Sequence, residues 1–417
     1  MNDVRRPRLL FLCRQLPWPL HGGAALRNYW LLAALAARYD VDLFAPGADP
    51  RPHPALAALC RRVRTFPPPR SAGRARRLLE GARPGTPYLL AGQIPPAMAR
   101  AVARAVDAGT YDAIHLAELP TAPALPPGPL PPLVYDAHNC EHELLRRRAR
   151  TERLLPRIAL RMEAERVRRA ERALVGRAAL VTAPSAQDVA ELARLRPDAA
   201  ARAAVVPNGV DAAGHAACAE AAPEPGTVLV PGSMTWRPNR QGLEWFLAHV
   251  LPLLDSDGAL RVRVAGRIPP ALADRLRRIP RVTVIPNPAD MRAELARAEM
   301  VAVPLLASSG TRLRILEAWA AGRPVVTTPA GALGLPSAAG VPALLAAASP
   351  AEFADAVRTL AKDAPLRGRL REAGLRMAAE HDWSRVGAAL LAAYETVPGV
   401  GEPRAGRAPA GVAACAS

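Results

Sequence analysis

The chain has 417 residues, half of them hydrophobic and 22% charged, which places it among folded proteins and leaves room for two domains. Its formal charge of +18 points to an anionic partner: nucleic acid, an anionic membrane or a phosphorylated small molecule. Aromatic residues make up only 4% and are not interleaved with arginine as stacking platforms, so nucleic acid is set aside.

Five cysteines (Cys13, Cys60, Cys140, Cys218 and Cys415) show no CxxC spacing. That argues against a disulfide framework or a zinc site, and for a reducing compartment. Arg5, Arg6 and Arg8 precede Leu9-Leu10-Phe11-Leu12-Cys13, an apolar run too short for a signal peptide. Nor does any apolar stretch reach the length of a membrane span. The expectation is a cytoplasmic protein, soluble or peripheral on the inner membrane face. Lys362 is the only lysine, so arginine carries the positive chemistry.

In chain order, residues 8–13 form a short apolar run followed by a turn-rich loop, Pro17-Trp18-Pro19-Leu20-His21-Gly22-Gly23. A helical pattern over 24–38 and a buried strand over 41–44 complete the opening of an α/β layer fold. Further strands are predicted over 113–116, 133–136, 179–183 and 203–206, with a proline-rich connector over 120–132 and one long helix over 141–177. The pattern breaks at Pro207-Asn208-Gly209-Val210-Asp211 into an Ala/Glu/Pro stretch. It then restarts with strands over 228–230, 261–265, 282–285, 300–304 and 324–328 and helices between them, among them 242–254. Two successive doubly wound sheets are the architecture this implies. The divisions are 1–210, a linker over 211–226, a second domain over 227–375, a returning helix over 376–397 and a disordered tail over 398–417.

The segment with the most chemistry is Ser308-Ser309-Gly310-Thr311-Arg312-Leu313-Arg314-Ile315-Leu316-Glu317. A strand, a small polar turn and a helix start present free N–H groups and a positive dipole end to an anion. Glu317 lies about 10 Å further along the helix axis at 1.5 Å per residue, roughly the span from a diphosphate to its ribose. Its carboxylate suits a vicinal diol; a merely solvated glutamate is the alternative reading.

This segment resembles the donor-site signature of the retaining GT-B glycosyltransferases of family four (glycosyl transferases group 1). Four other segments resemble that family's motifs in order: Pro17-x-Pro19-x-x-Gly22-Gly23 followed by Arg27; Asp136-Ala137-His138-Asn139; Val206-Pro207-Asn208-Gly209-Val210-Asp211; and Gly232-Ser233-Met234 with Pro238-Asn239. The resemblance runs over about 8–395. It implies an α/β GT-B fold, two Rossmann-like domains facing across a cleft, with an acceptor in the first and a nucleotide-diphosphate sugar in the second. It also implies sugar transfer to an acceptor hydroxyl with retention of configuration, in polysaccharide or glycolipid synthesis. No metal and no cofactor beyond the substrate nucleotide sugar are expected.

On this resemblance His138, Arg240 and Arg314 are the catalytic candidates. Gly22, Gly23, Ser233, Ser309, Gly310, Thr311 and Glu317 are the donor-binding ones. Two departures stand out. Ser309 takes the place of the first of two glutamates usual in the family, and Ser233 stands where an arginine is common, leaving Arg237 and Arg240 as the nearest cations. The alternatives are a nucleotide-sugar epimerase of the same fold, or a degenerate nucleotide-sugar-binding protein without turnover.

Cys140 beside His138 has no identifiable orienting partner for nucleophilic chemistry. Asp255-Ser256-Asp257 is read as a solvated turn, and His381, Asp382 and Trp383 as structural. In the long helix, Arg150, Arg157, Arg161, Arg168 and Arg172 fall on one stripe at 100° per residue. Leu155, Ile158, Ala159, Met162 and Ala173 lie broadly opposite, as the expected packing face. The stripe is either a solvated face or a dock for an anionic membrane bearing a saccharide or lipid-linked acceptor.

Overall fold

In the computed structural model the described residues are 6–20, 22–49, 51–67, 81, 85–150, 152–257, 260–306, 313–333, 335 and 343–400. They build two wholly parallel sheets. The first holds β1 (Arg8–Leu12), β2 (Asp40–Pro46), β3 (Arg62–Phe66), β4 (Ala113–Ala117), β5 (Leu133–Asp136), β6 (Leu180–Ala183) and β7 (Ala203–Val205) in the order β3-β2-β1-β4-β5-β6-β7. The second holds β8 (Thr227–Pro231), β9 (Arg261–Gly266), β10 (Val282–Pro286), β11 (Met300–Val303), β12 (Val325–Thr327) and β13 (Leu345–Ala346) in the order β10-β9-β8-β11-β12-β13.

Both sheets reverse direction beside their first strand, between β1 and β4 and between β8 and β11. Such switch points open a crevice at the carboxyl ends of the strands. The central strands read as near-continuous apolar runs because helices cover both faces. Leu9, Leu10, Phe11 and Leu12 of β1 are all fully buried, alternating between the two layers of core packed on the sheet's faces.

The last helix, Trp383–Glu395, crosses back to the first domain and packs on helix Gly23–Ala36. Trp383 stacks on Trp30 at 6.1 Å, and the Tyr394 hydroxyl lies 2.7 Å from His115 Nδ1 in the middle of β4. Burial pushes His115 down to about 4, so this ring sits neutral in the core.

Two segments differ from the sequence reading. The stretch over 211–226 contains a helix, Ala212–Glu220, capped by Asp211. The carbonyls of Cys218 in this helix and of Ala221 just past its end accept from the buried Arg323 guanidinium, a tertiary partner that local composition does not reveal.

The predicted long helix is two helices, Glu141–Arg150 and Leu154–Arg177. The second buries Ala164, Val167, Glu171, Leu174 and Val175. Leu155 (78% exposed), Ile158 (46%) and Met162 (60%), read as the packing face, instead look outward with Leu154 (62%). Ala159 and Ala173 are exposed as well. The periodicity located an apolar stripe correctly but could not say which stripe meets the sheet. Among the described residues, finally, no helix is long and apolar enough to cross a membrane.

Candidate active site

The carboxyl ends of the two sheets face each other across a cleft of about 650 Å³, within the range of small-molecule sites. Its first wall is organised by Arg27, a buried residue of helix Gly23–Ala36. Arg27 Nη2 lies 2.6 Å from Asp136 Oδ1 and Nε 2.9 Å from Oδ2, while Nη1 donates to Asn208 Oδ1 at 3.0 Å and to the Pro207 carbonyl at 3.1 Å. Thr182 Oγ1 donates to Asp136 Oδ1 at 2.7 Å. One guanidinium thereby joins the end of β5 to the segment where the chain leaves the first domain. Burial alone would raise the Asp136 carboxyl, but Arg27 and His138 more than offset it and hold Asp136 well below its ordinary value of 3.8.

His138 stands just past β5, with Nε2 3.3 Å from Asp136 Oδ2 and Nδ1 3.8 Å from Glu118 Oε1. Glu118 follows β4 directly and is 7% exposed. Arg14, from the loop after β1, donates to its Oε2 through Nε (3.3 Å) and Nη2 (3.1 Å). These two residues therefore meet across the β1/β4 switch point. The Glu118 backbone sits at φ 65°, ψ 140°, bordering a region that only glycine occupies readily and that costs other residues about 1–3 kcal/mol.

On the second wall, Gly232-Ser233 follows β8, and the turn is closed by Asn239 Nδ2 donating to the Ser233 carbonyl at 3.1 Å. Ser233 lines the cleft, as do Arg267, which follows β9, and Arg314 in the first turn of helix Leu313–Ala320. Arg314 Nη1 lies 2.5 Å from Glu317 Oε2. The residue expected on the phosphates and the one expected on the ribose thus pair with each other. Ser309, Gly310 and Thr311 lie outside the described residues.

Arg240 stands apart from the cleft lining, half exposed and 4.0 Å from Glu244 Oε1. Arg237 is ion-paired with Glu152 of the first domain. Neither is placed as a free phosphate cation. Arg267, which sequence reasoning missed, lines the cleft instead. Its only signal was its place two residues past the strand predicted over 261–265.

The glycine pair has two separate reasons. Gly22 adopts φ 132°, accessible to glycine at little cost. At Gly23, a Cβ would come within 2.9 Å of Leu313 Cδ1 from the other domain. A side chain here would require the Leu313 side chain to shift.

Cys140 does have a partner set. Its Sγ lies 3.4 Å from His142 Nδ1, which is 2.6 Å from Glu171 Oε2. Glu171 also accepts from the backbone N–H of Glu141 (2.8 Å) and His142 (3.0 Å), so it caps the Glu141–Arg150 helix. Burial and the Glu171 charge push the Cys140 thiol far up, which suits an inert buried cysteine and not a nucleophile. Glu141, at the cleft edge, accepts from Asn139 Nδ2 at 3.1 Å; burial, then the Glu171 charge, push it up to about 7.

Two family models match in sequence, Glycosyltransferase Family 4 over residues 21–213 and Glycosyl transferases group 1 over residues 225–363. The chain is a GT-B glycosyltransferase. Solved structures share its fold, among them the following three. HepE of Anabaena, in complex with UDP and glucose, is 19% identical, with 94% of this chain and 100% of that one covered, at a TM-score of 0.64. Sucrose-phosphate synthase of Thermosynechococcus elongatus is 18% identical over 94% and 98% of the two chains, at 0.67. WaaG, a glycosyltransferase involved in lipopolysaccharide biosynthesis, is 18% identical over 94% and 100%, at 0.61. Among curated proteins, none matches the chain in sequence. Because both family models describe glycosyl transfer, the glycosyltransferase reading is favoured over the epimerase alternative.

Proposed function

We propose that this glycosyltransferase moves a sugar from a nucleoside-diphosphate sugar to a saccharide or lipid-linked acceptor hydroxyl, with retention of configuration, in polysaccharide or glycolipid assembly. The observation that carries the reading is the cleft itself. Arg267 and Arg314 line its second wall, and the Arg27–Asp136–His138 network its first. Charge develops on the departing diphosphate, and two guanidinium groups held beside it stabilise that charge in the transition state. The leaving phosphate, still bound on the face it departed from, serves as base toward the acceptor hydroxyl. In this reading guanidinium charge does the work of a divalent cation, so activity should persist in EDTA.

A thermal-shift screen with UDP, GDP and ADP and their sugars tests the donor, since ligands that bind only the folded state raise apparent stability. Anomeric analysis of the product by NMR tests retention. No shift with any nucleotide or nucleotide sugar would sink the reading, and an inverted product would sink retention.

An anionic membrane surface is the proposed carrier of the acceptor. Leu154, Leu155, Ile158 and Met162 form an outward apolar face on two turns of one helix, flanked by Arg153, Arg157 and Arg161. Arg172 lies further along the expected stripe, whereas Arg168 is taken up by Glu165 at 2.7 and 2.8 Å. Apolar side chains ringed by arginine fit the headgroup boundary of an anionic bilayer. Glu152, two residues before this face, pairs with Arg237 of the second domain, so a docked lipid would lie beside the cleft. Sedimentation with phosphatidylglycerol vesicles should fall when Leu155 and Met162 become Ser, and when Arg157 and Arg161 become Gln. Unchanged binding in both variants removes the membrane partner.

A further inference from the structure

We propose that Glu118 is a substrate-binding residue: its Oε1, together with His138 Nδ1, takes one hydroxyl group of the saccharide held in the cleft. This rests on the reading of the cleft as a nucleotide-sugar site. Three observations converge on Glu118. Its side chain is more than nine-tenths buried, and Oε1 has no hydrogen-bond partner. Its backbone is held in the left-handed half of conformational space at φ 65°. It lines the cleft at the β1/β4 switch point, where α/β sheets receive ligands.

A glutamate kept for structure alone would not need all three. If the turn were the point, glycine would serve with less strain. If the ion pair were the point, it would be a weak reason, because Arg14 is 35% exposed and surface-type pairs contribute little. An unpaired buried carboxylate oxygen is unfavourable unless a donor arrives, and observed strain of this kind clusters at ligand sites.

The geometry selects the donor. Oε1 and Nδ1 are 3.8 Å apart, too far for a direct hydrogen bond. A hydroxyl oxygen at an ordinary distance of about 2.8 Å from each would see them at nearly a right angle. A hydroxyl can give its proton to Oε1 and engage Nδ1 at the same time; a phosphate, having no proton to give, would be repelled by Glu118. Arg14 fixes the other carboxylate oxygen, so the pair is oriented before the sugar binds. A sugar hydroxyl is the shared chemistry, whether it belongs to the donor sugar or to the acceptor.

Calorimetric titration of wild type, Glu118→Gln and Glu118→Gly with UDP, GDP, ADP, UDP-glucose, GDP-mannose and ADP-glucose tests it. Affinity for the bare nucleoside diphosphate should be the same in all three proteins. The preference for the sugar-bearing form over the bare diphosphate should fall at least tenfold in both variants if the hydroxyl is the donor's. If that preference is unchanged, transfer from the best donor to a panel of p-nitrophenyl glycosides should show acceptor KM raised at least tenfold, with donor KM unchanged, marking the hydroxyl as the acceptor's. Glu118→Gly should melt at or above wild type, because glycine relieves the backbone. The proposal is overturned if donor preference and acceptor KM are both unchanged in folded variants. It is also overturned if Glu118→Gly melts well below wild type and loses the bare nucleotide too. A wild-type protein that binds none of the six ligands is a separate result, which fails the nucleotide-sugar reading itself.

Discussion

The Arg27 guanidinium is buried against the Asp136 carboxylate, Nη2 to Oδ1 at 2.6 Å and Nε to Oδ2 at 2.9 Å. Removing one member of such a pair leaves an uncompensated charge in the interior, which costs about 3–5 kcal/mol. Arg27→Met should therefore destabilise the protein by that amount in urea unfolding. A loss below about 1 kcal/mol would mean that Asp136 finds another partner.

Arg267 and Arg314 line the cleft, whereas Arg240 does not. A charge-assisted hydrogen bond contributes about 1.5–3 kcal/mol. Arg267→Gln and Arg314→Gln should each weaken nucleoside-diphosphate binding by about tenfold or more in calorimetry. Arg240→Gln should change it less than about twofold on the same geometric ground. Equal losses for Arg240 and Arg267 would return the phosphate site to the loop after β8.

Two titrations oppose each other. Glu141 is raised from 4.5 to about 7, so the folded state holds its proton more tightly and stability falls as pH rises through that window. His115 is lowered from 6.5 to about 4, so the unfolded chain binds the extra proton and stability rises with pH between 4 and 6.5. Between pH 4.5 and 6.5 the two slopes cancel in part. Glu141→Gln should leave stability rising more steeply with pH over that range, and His115→Phe should leave it falling. Melting temperatures in steps of half a pH unit read both slopes, and unchanged slopes would show that neither group titrates as placed.

The Tyr394–His115 contact fastens the returning helix to β4. Tyr394→Phe leaves a buried ring nitrogen without its partner, at a cost of about 1–3 kcal/mol. Denaturant midpoints should drop accordingly; no drop would mean that aromatic packing alone holds the helix.

The central strands could be read from the sequence because burial on both faces writes them as apolar runs. β1, β4, β5, β9 and β11 lie where such runs were found. The edge strand β3 carries no such signature. β3 reads Arg62-Val63-Arg64-Thr65-Phe66, with only Phe66 fully buried, so its sequence resembles a polar loop. The helix Ala212–Glu220 was hidden for a related reason, since alanine and glutamate also make linkers. Its order comes partly from Arg323 donating to the carbonyls of Cys218 and Ala221, from a residue about 100 positions away.

At the site, the sequence by itself determined which loops carry chemistry, because glycines, a histidine and small polar turns at strand ends are constraints written locally. His138, Ser233 and Arg314 all reach the cleft. Only the tertiary structure decided which charges remain available there. Arg237 is drawn off by Glu152, whereas Arg267 and Arg314 line the cleft, Arg314 paired there with Glu317. It alone sets Glu118, 20 residues before His138 in sequence, at 3.8 Å from the ring. Local sequence fixes residue type and backbone preference. A charge's partner depends on distances between groups far apart in the chain, and the folding of the two parallel sheets sets those.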